Sequence, residues 1–148
     1  NVNGTGQIVV SGTRAGLDDL LARHRELGWR RATPLPVGGA FHSPLMAPAQ
    51  AELDDALAKA HWGSTDAVVI ANVDGRPHSD PGEWRDLLSR QLTSPVQFLD
   101  ATLALPDQVT ASVELPPGSV LTGLTKRIRD FDSQLAPSAP DDLRGVEG

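Results

Sequence analysis

Apolar residues in the first quarter of the chain recur with two spacings, and each spacing predicts one type of element. A short apolar run over 7–11 predicts a buried strand. Apolar residues three and four positions apart then predict a helix over 14–27, with Thr13 as its N-terminal cap and Gly28 as its C-terminal stop. Residues 30–36 predict a second strand, with Pro34 and Pro36 restricting its ends to a sheet edge. Strand, helix and strand would form a βαβ-like unit, and the helix would bury one face made of Leu17, Leu20, Leu21 and Leu27.

The rest of the chain continues the alternation of helices and strands. The predicted elements are, in order, a helix over 44–60, a buried strand over 67–71, a helix that starts with a capping box at Asp80 and Glu83, a helix over 96–104, a strand over 109–115 and a helix over 119–131. From Ser133 onward, the Pro, Ser, Asp and Gly content predicts a mobile tail. The pattern contains no internal repeat, and it indicates an α/β protein.

One turn stands out, between the predicted strand over 30–36 and the helix over 44–60. Gly38 and Gly39 are predicted to supply backbone conformations that other residues avoid. Ser43 is predicted to cap the helix, whose first turn accepts Pro44 because the missing N–H would be unpaired there in any residue. His42 is therefore placed on a tight turn beside a helix start, where functional side chains often lie.

Composition narrows the classes of function. The formal net charge of −6 over 148 residues argues against a generic nucleic-acid binder, since phosphate binding needs a basic surface. The absence of cysteine excludes disulfides, thiolate nucleophiles and cysteine metal sites. No apolar run is long enough to span a bilayer, so no membrane partner is expected. Because the chain begins with neither Met nor a signal peptide, we expect it to be cut from something longer.

Four histidines compete for the role of a general base. His24 lies on a charged helix face, His61 at a helix end and His78 in a polar loop, whereas His42 has the turn-then-helix placement. No G-x-S-x-G elbow supplies a serine nucleophile, and the histidines lack metal-binding spacing. The residues alone therefore leave open whether His42 is catalytic or structural.

Five segments then resemble the malonyl-CoA:acyl-carrier-protein transacylases, which belong to the same acyltransferase family as the acyltransferase domains of polyketide and fatty-acid synthases. These segments are NVNGTGQIVVSG at 1–12, GGAFHSPLM at 38–46, ANVD at 71–74, RQLTSPVQF at 90–98 and PGSVLTGLTKR at 117–127. Pro116 departs from the family pattern, where glycine is usual. Because the matches follow the family's order, the resemblance covers the chain from residue 1 to about residue 130.

The resemblance implies a particular division of the chain. The family has an α/β-hydrolase-like large subdomain with a ferredoxin-like small subdomain inserted. Residues 1–36 would be the second half of the small subdomain, and 37–131 would be the C-terminal part of the large subdomain. Residues 132–148 would then be the mobile tail.

The resemblance also implies a reaction. A serine takes malonyl from coenzyme A as an ester and passes it to the phosphopantetheine thiol of the acyl carrier protein, and a histidine serves as base and acid. That histidine corresponds to His42, and the glutamine whose backbone carbonyl orients it corresponds to Gln91. Asn3 and Asn1 match asparagines at the active-site entrance. Phe41 matches a position where bulk accompanies selectivity for malonyl over methylmalonyl.

The resemblance further implies the chain's partners and location. Malonyl-CoA and the acyl carrier protein are expected partners, and neither a metal nor a bound cofactor is expected. The family is cytoplasmic. The serine elbow, the arginine that pairs with the malonyl carboxylate and the glutamine of the oxyanion hole would all lie before residue 1. We therefore expect a missing N-terminal half to carry the serine, and this chain alone to be inactive.

Two alternatives stay open. The chain is either part of an acyltransferase domain of a larger polyketide or fatty-acid synthase, or a non-catalytic fragment that binds the carrier protein. A small basic cluster on the last predicted helix, Lys126, Arg127 and Arg129, would serve such docking.

Overall fold

Short helices and strands alternate along the chain, as the hydrophobic pattern predicts for an α/β protein. The structure is a computed structural model, and it describes residues 1–139 and residue 142. The elements are β1 (Val2–Gly4), β2 (Gln7–Ile8), α1 (Arg14–Arg23), a 3₁₀ helix (Pro44–Ala49), α2 (Gln50–Lys59), β3 (Val69–Ala71), β4 (Arg76–His78), α3 (Trp84–Gln91), α4 (Phe98–Leu103), β5 (Ala111–Val113), α5 (Val120–Thr125) and β6 (Ser133–Leu135).

The strands of the described residues form three two-stranded sheets. β1 pairs with β2 and β3 with β4, both antiparallel, whereas β5 and β6 are parallel. The β3–β4 hairpin turns at Gly75, whose N–H donates to the carbonyl of Ala71 at 2.8 Å. Gly75 has a φ of +68°, and a Cβ added there would lie 2.6 Å from Cβ of Asp100 on α4. The hairpin therefore needs glycine for both its conformation and its close approach to α4.

Helix α1 has the capping residues that its sequence predicts. The hydroxyl of Thr13 accepts a hydrogen bond from the N–H of Gly16. The α-helix ends at Arg23, and a further turn leads to Gly28, which has a φ of +80°. The N–H of Trp29 donates to the carbonyl of His24 there, as in a Schellman C-cap. The predicted apolar face is not fully buried, because no residue of α1 is buried.

The predicted strand over 30–36 is absent, and so is the βαβ-like unit. Residues 30–37 contain no strand, and β2 instead pairs with β1. Pro34 and Pro36 remove two of the N–H groups that a ladder would need. Leu35 is exposed, as are most residues of this segment.

The predicted helix over 44–60 is divided by Pro48. Its first six residues, Pro44–Ala49, are a 3₁₀ helix, and α2 begins only at Gln50. Pro48 lacks the N–H of an i to i−4 bond, which explains why the α-helix starts after it. Helix α2 then packs against α3, and Leu57 and Leu87 are buried.

The predicted capping box at the start of α3 is also wrong. The helix begins at Trp84 without a side-chain cap. The carboxylate of Asp80 instead accepts from the N–H of Gly82 at 2.8 Å and stabilises the preceding turn. An Asp side chain that bonds its own backbone two residues later favours a turn over a helix start.

The C-terminal elements are shorter than predicted, and one strand was not found from the sequence. Helix α5 ends at Thr125, not at 131, and β6 (Ser133–Leu135) lies inside the predicted mobile tail. The backbone of Asp132 donates to the carbonyl of Thr110, which holds β6 beside β5. Of that predicted tail, residues 140, 141 and 143–148 lie outside the described part of the chain.

None of the helices within residues 1–139 combines the length and the apolar character that crossing a membrane requires.

Candidate active site around His42

His42 lies on the turn that leads directly into the 3₁₀ helix, and Ser43 fixes this turn as predicted. The Ser43 hydroxyl donates to the carbonyl of Ala40 at 2.6 Å and accepts from the N–H of Leu45 at 3.3 Å. Ser43 is buried, and Pro44 occupies the first helical turn. Both sides of His42 are therefore tied to the start of the helix.

The unusual backbone conformation of this turn lies at His42 itself. His42 has a φ of +58°, which is the left-handed region that residues with a Cβ seldom adopt. Gly38 and Gly39 were predicted to supply such conformations, but neither has a positive φ. Strained backbone of this kind is frequent at functional sites.

The ring of His42 is oriented by the end of α3. Its Nδ1 lies 3.0 Å from the backbone carbonyl oxygen of Gln91, the last residue of that helix. The last carbonyls of a helix have no intrahelical N–H partner, so this oxygen is available to a side chain. Since a carbonyl only accepts, Nδ1 carries the hydrogen, and the neutral ring keeps its lone pair on Nε2. Nε2 can therefore accept a proton.

The side chain of Gln91 stabilises the turn that follows α3. Its Nε2 donates to the carbonyl of Ser94 at 3.0 Å and to that of Pro95 at 3.3 Å. The amide group thus holds the chain beyond the helix, while the backbone carbonyl remains directed at His42. This division explains how one residue serves both the turn and the histidine.

Phe41 lies beside the histidine with half of its surface exposed. It is 49% exposed, and its ring lies over Gly39. A Cβ added to Gly39 would lie 3.0 Å from Cε2 of Phe41, which is tighter than ordinary contact. The absence of a side chain at Gly39 is what allows the ring to take this position.

Asn1 and Asn3 flank Val2, whose backbone joins the start of the chain to the segment that follows α3. The carbonyl of Asn1 accepts from the N–H of Val9, and the N–H of Val2 donates to the carbonyl of Val96, which is five residues beyond Gln91. Both asparagines are half-buried. Within the described residues, no hydrogen bond joins either of them to His42. Their predicted role at the entrance stays a prediction.

His78 has the more elaborate polar surroundings, which the sequence reasoning missed. Its Nε2 lies 3.2 Å from Oδ2 of Asp74, its Nδ1 lies 3.2 Å from Oε2 of Glu83, and its ring contacts Trp84 edge-on. In the sequence, the signal for this site was the presence of a carboxylate four residues before His78 and another five residues after it. Because both ring nitrogens face carboxylates, neither is free to act as a base, whereas no carboxylate in the described part of the chain bonds Nε2 of His42.

The predicted basic cluster is largely occupied by contacts within the chain. Nη1 of Arg127 donates to Oε1 of Gln7 at 3.0 Å. The guanidinium of Arg129 donates at 2.6–2.9 Å to three backbone carbonyls, those of Leu105, Pro106 and Val109. Arg129 also lies 5.3 Å from the ring centroid of Phe131. These contacts weigh against a carrier-docking role for the cluster as a whole.

Two cavities lie in the described part of the chain, and one of them is close to His42. One of about 150 Å³ is lined in part by Gln91, Trp84 and Leu87, next to the carbonyl that orients His42. Another of about 360 Å³ lies between residues 116–119 and 136–138, and His42 does not line it. Over residues 1–139, no group of three His, Asp or Glu side chains is arranged to hold a metal ion.

A histidine of fixed tautomer on an α/β framework fits the acyltransferase class. The similarity of the chain to known proteins identifies the family. The family model described as acyl transferase domain matches residues 1–141, so the chain belongs to this family. The malonyl CoA-acyl carrier protein transacylase of Staphylococcus aureus (strain COL) is 36% identical over 146 residues, which are 98% of this chain and 47% of that protein. The resemblance predicted from the motifs is confirmed.

Solved structures show the same fold. The crystal structure of MCAT from Mycobacterium tuberculosis matches with a TM-score of 0.83 and 33% identity, over 93% of this chain and 45% of that one. A type II PKS acyl-carrier protein in complex with its malonyl-transacylase (PlMCAT:AntF) matches with a TM-score of 0.79 and 32% identity, over 90% and 43%. The α/β class is thus confirmed. The chain spans about half the length of the relatives that it matches.

Proposed function

We propose that this chain supplies the general base of a malonyl-CoA:acyl-carrier-protein transacylase. The hydrogen bond from Nδ1 of His42 to the carbonyl of Gln91 carries the proposal, because it leaves Nε2 as the proton acceptor. The names of the relatives support malonyl-CoA and an acyl carrier protein as the substrates. Coenzyme A enters as the carrier of the substrate, and no further cofactor takes part.

The reaction proceeds in two half-reactions, with the histidine serving first as base and then as acid in each. In the first, Nε2 of His42 removes the proton of a serine hydroxyl as the serine oxygen attacks the malonyl thioester carbonyl. The C–S bond breaks, the coenzyme A sulfur takes the proton from Nε2, and a malonyl ester remains on the serine. In the second, Nε2 takes the proton of the phosphopantetheine thiol, whose sulfur attacks the ester. The serine oxygen then leaves and recovers the proton.

The serine of this reaction belongs to the half of the family's fold that this chain does not span. The chain contains no G-x-S-x-G elbow, and it covers 47% of its Staphylococcus aureus relative. We use "complete enzyme" for this chain together with the half that carries the serine. The chain alone is expected to transfer nothing, because a base without its nucleophile has no covalent intermediate to form.

The organisation of the complete enzyme follows the family. Residues 1–36 belong to the ferredoxin-like small subdomain and 37–131 to the hydrolase-like large subdomain, with the boundary in the irregular segment over 30–37. The enzyme works in the cytoplasm. Phe41 limits the acyl pocket beside His42 and favours malonyl over methylmalonyl, since a filled pocket rejects an added methyl group.

Substitution of His42 in the complete enzyme tests the proposal. His42→Ala removes the base but also places alanine at a φ of +58°. His42→Asn removes the base as well, and asparagine tolerates the left-handed conformation. Both variants are expected to lose at least about a hundredfold in serine acylation by malonyl-CoA, since general base catalysis contributes about 10²–10⁴-fold. Mass spectrometry of the malonyl-enzyme measures the rate.

The two variants separate the loss of the ring from a disturbed backbone. If both are inactive, the imidazole itself is required, whereas a loss confined to His42→Ala assigns the effect to the turn. Wild-type acylation by His42→Asn would overturn the assignment of His42 as the base. His78→Asn is the matched control on another histidine, and it is expected to retain acylation because His78 faces two carboxylates elsewhere.

A further inference from the structure

A polar cluster outside the proposed chemistry joins α2 to α3. Oδ1 of Asp54 accepts from the hydroxyl of Ser89 at 2.6 Å and from Nε2 of Gln50 at 3.1 Å. Nε2 of Gln50 also lies 2.7 Å from Oγ of Ser89 and 3.2 Å from its carbonyl oxygen. We call these three residues, Gln50, Asp54 and Ser89, the Asp54 network. Gln50 and Asp54 lie on α2, and Ser89 lies on α3.

The carboxylate at the centre of this network is charged. Hydrogen bonds from Ser89 and then from Gln50 lower the pKa of Asp54, partial burial opposes them, and the charge of Arg85 adds a smaller lowering. An ionised acceptor makes shorter and stronger hydrogen bonds than a neutral one. The network is therefore a directional link between two helices that pack against each other and that each bury a leucine, Leu57 on α2 and Leu87 on α3.

The position of the network relates it to the histidine. Ser89 is two residues before Gln91 on the last turn of α3, so a shift of Ser89 along α2 moves the Gln91 carbonyl with it. Helix α2 in turn continues from the 3₁₀ helix that begins two residues after His42. Apolar attraction is not directional, so it specifies the axial register of the helices less sharply than hydrogen bonds do. The hydrogen bonds that cross between the helices, from the Ser89 hydroxyl to Oδ1 of Asp54 and from Nε2 of Gln50 to Oγ and the carbonyl of Ser89, fix the register. Oδ1 of Asp54 also holds the Gln50 amide in place for its bonds to Ser89.

We propose that Asp54 is a positioning residue that holds α3 in the register at which the Gln91 carbonyl meets Nδ1 of His42. The inference rests on the proposed function, because it takes His42 to be the base. Asp54 touches neither substrate nor the reacting atoms. Loss of the network displaces the imidazole, and a displacement of about 1 Å can lower a rate by about a hundredfold.

The test uses single-turnover acylation of the complete enzyme by malonyl-CoA. Asp54→Ala is expected to lower the acylation rate at saturation by about tenfold or more. The half-saturating concentration should not change, since no substrate contact is lost. Asp54→Asn keeps an oxygen at Oδ1 for both donors, and it is expected to restore most of the rate. If Asp54→Asn restores the acylation rate, the hydrogen-bond acceptor at this position is what matters, and the negative charge of Asp54 is not required.

Two further variants keep the outcome decisive. Asp55→Ala is the matched control, because Asp55 lies on the same helix but pairs with Lys59 at the exposed surface. It is expected to acylate at the wild-type rate. Ser89→Ala removes the hydroxyl that bonds Asp54 and Gln50 and leaves only the bond from Gln50 to the backbone carbonyl of residue 89, so it weakens the same link and provides the measurement if Asp54→Ala does not fold. The ¹⁵N signal of His42 Nδ1 should shift in Ser89→Ala and not in Asp55→Ala.

The outcomes distinguish the inference from the function on which it rests. Suppose His42→Asn is inactive while Asp54→Ala and Ser89→Ala both acylate like Asp55→Ala. The inference is then overturned, and the function stands. If His42→Asn is active, the function itself is overturned. A raised half-saturating concentration with an unchanged saturating rate in Asp54→Ala would assign Asp54 to substrate binding and also overturn the inference.

Discussion

Substitution of Gly75 by alanine tests the geometry of the β3–β4 hairpin. The added Cβ would lie 2.6 Å from Cβ of Asp100 and 3.2 Å from the backbone nitrogen of Ala101, both on α4. Ordinary carbon–carbon contact is about 3.5–4.0 Å, so the hairpin and α4 must separate by about 1 Å. The substitution also places alanine at a φ of +68°. Two separate penalties therefore act at one residue.

The size of the effect follows from these two terms. The left-handed conformation costs a residue with a Cβ about 1–2 kcal/mol, of which about 0.4–1 is offset by the loss of freedom in the unfolded chain. Overpacking of a tight contact adds about 1–3 kcal/mol. The free energy of unfolding of Gly75→Ala should therefore fall by about 3 kcal/mol.

Gly28→Ala separates the two terms, because it has the cost of a positive φ without the cost of overpacking. Gly28 has a φ of +80°, and a Cβ added there meets nothing within 4 Å. It should lose only about 1 kcal/mol. Thermal unfolding of the complete enzyme should then place Gly75→Ala about 2–4 °C below Gly28→Ala, since 1 kcal/mol shifts Tm by only about 1–2 °C in a protein about twice as long as this chain. Equal melting temperatures would refute the steric argument and the closeness of the hairpin to α4.

Two further predictions concern the C-terminal elements. Arg129→Ala should lower the free energy of unfolding by about 2 kcal/mol or more, because it leaves three carbonyls without their charged donor. Arg129→Lys should recover only part of the loss in thermal unfolding, since an ammonium cannot reproduce the planar donor geometry, and full recovery would contradict this reasoning. At Glu114, partial burial raises the carboxyl pKa, but hydrogen bonds from the backbone of Thr122, Leu121 and Val120 outweigh it and leave the pKa lowered. The stabilisation from Glu114 is thus fully present above the ordinary glutamate pKa of about 4.3 and is lost as the pH falls through the lower folded value. The melting temperature of wild type minus that of Glu114→Gln should therefore shrink on acidification, and a difference that grows would show the opposite sign.

Local sequence signals predicted the helix starts that depend on one side chain. Thr13 and Ser43 cap their helices as expected, because an N-cap needs only a short polar side chain and the amides two or three residues later. Pro48, which lacks the N–H of an i to i−4 bond, divides the helix expected over 44–60 into a six-residue 3₁₀ helix and α2. Asp80 was taken for a cap because the same side chain suits both a cap and a turn.

Contacts between distant residues were the part that local patterns could not predict. His42 and Gln91 are 49 positions apart, and only the family resemblance related them. β4 was missed because Pro77 lies within it and weakens any strand signal. β6 is recognisable only through its partner β5, since Ser, Gln and Leu have no pattern of their own. The strand expected over 30–36 does not form, because no partner strand pairs with this segment among the described residues.

The contacts of Arg129 have a consequence for the conditions under which the C-terminal region holds together. The chain has no cysteine, so no disulfide can tie the loop over 105–109 to the segment that follows α5. Arg129 makes that crosslink without a covalent bond. The crosslink consists of hydrogen bonds, so a reducing agent has no bond in it to cleave. It is therefore indifferent to redox state, and it will persist in reducing buffers that would open a disulfide.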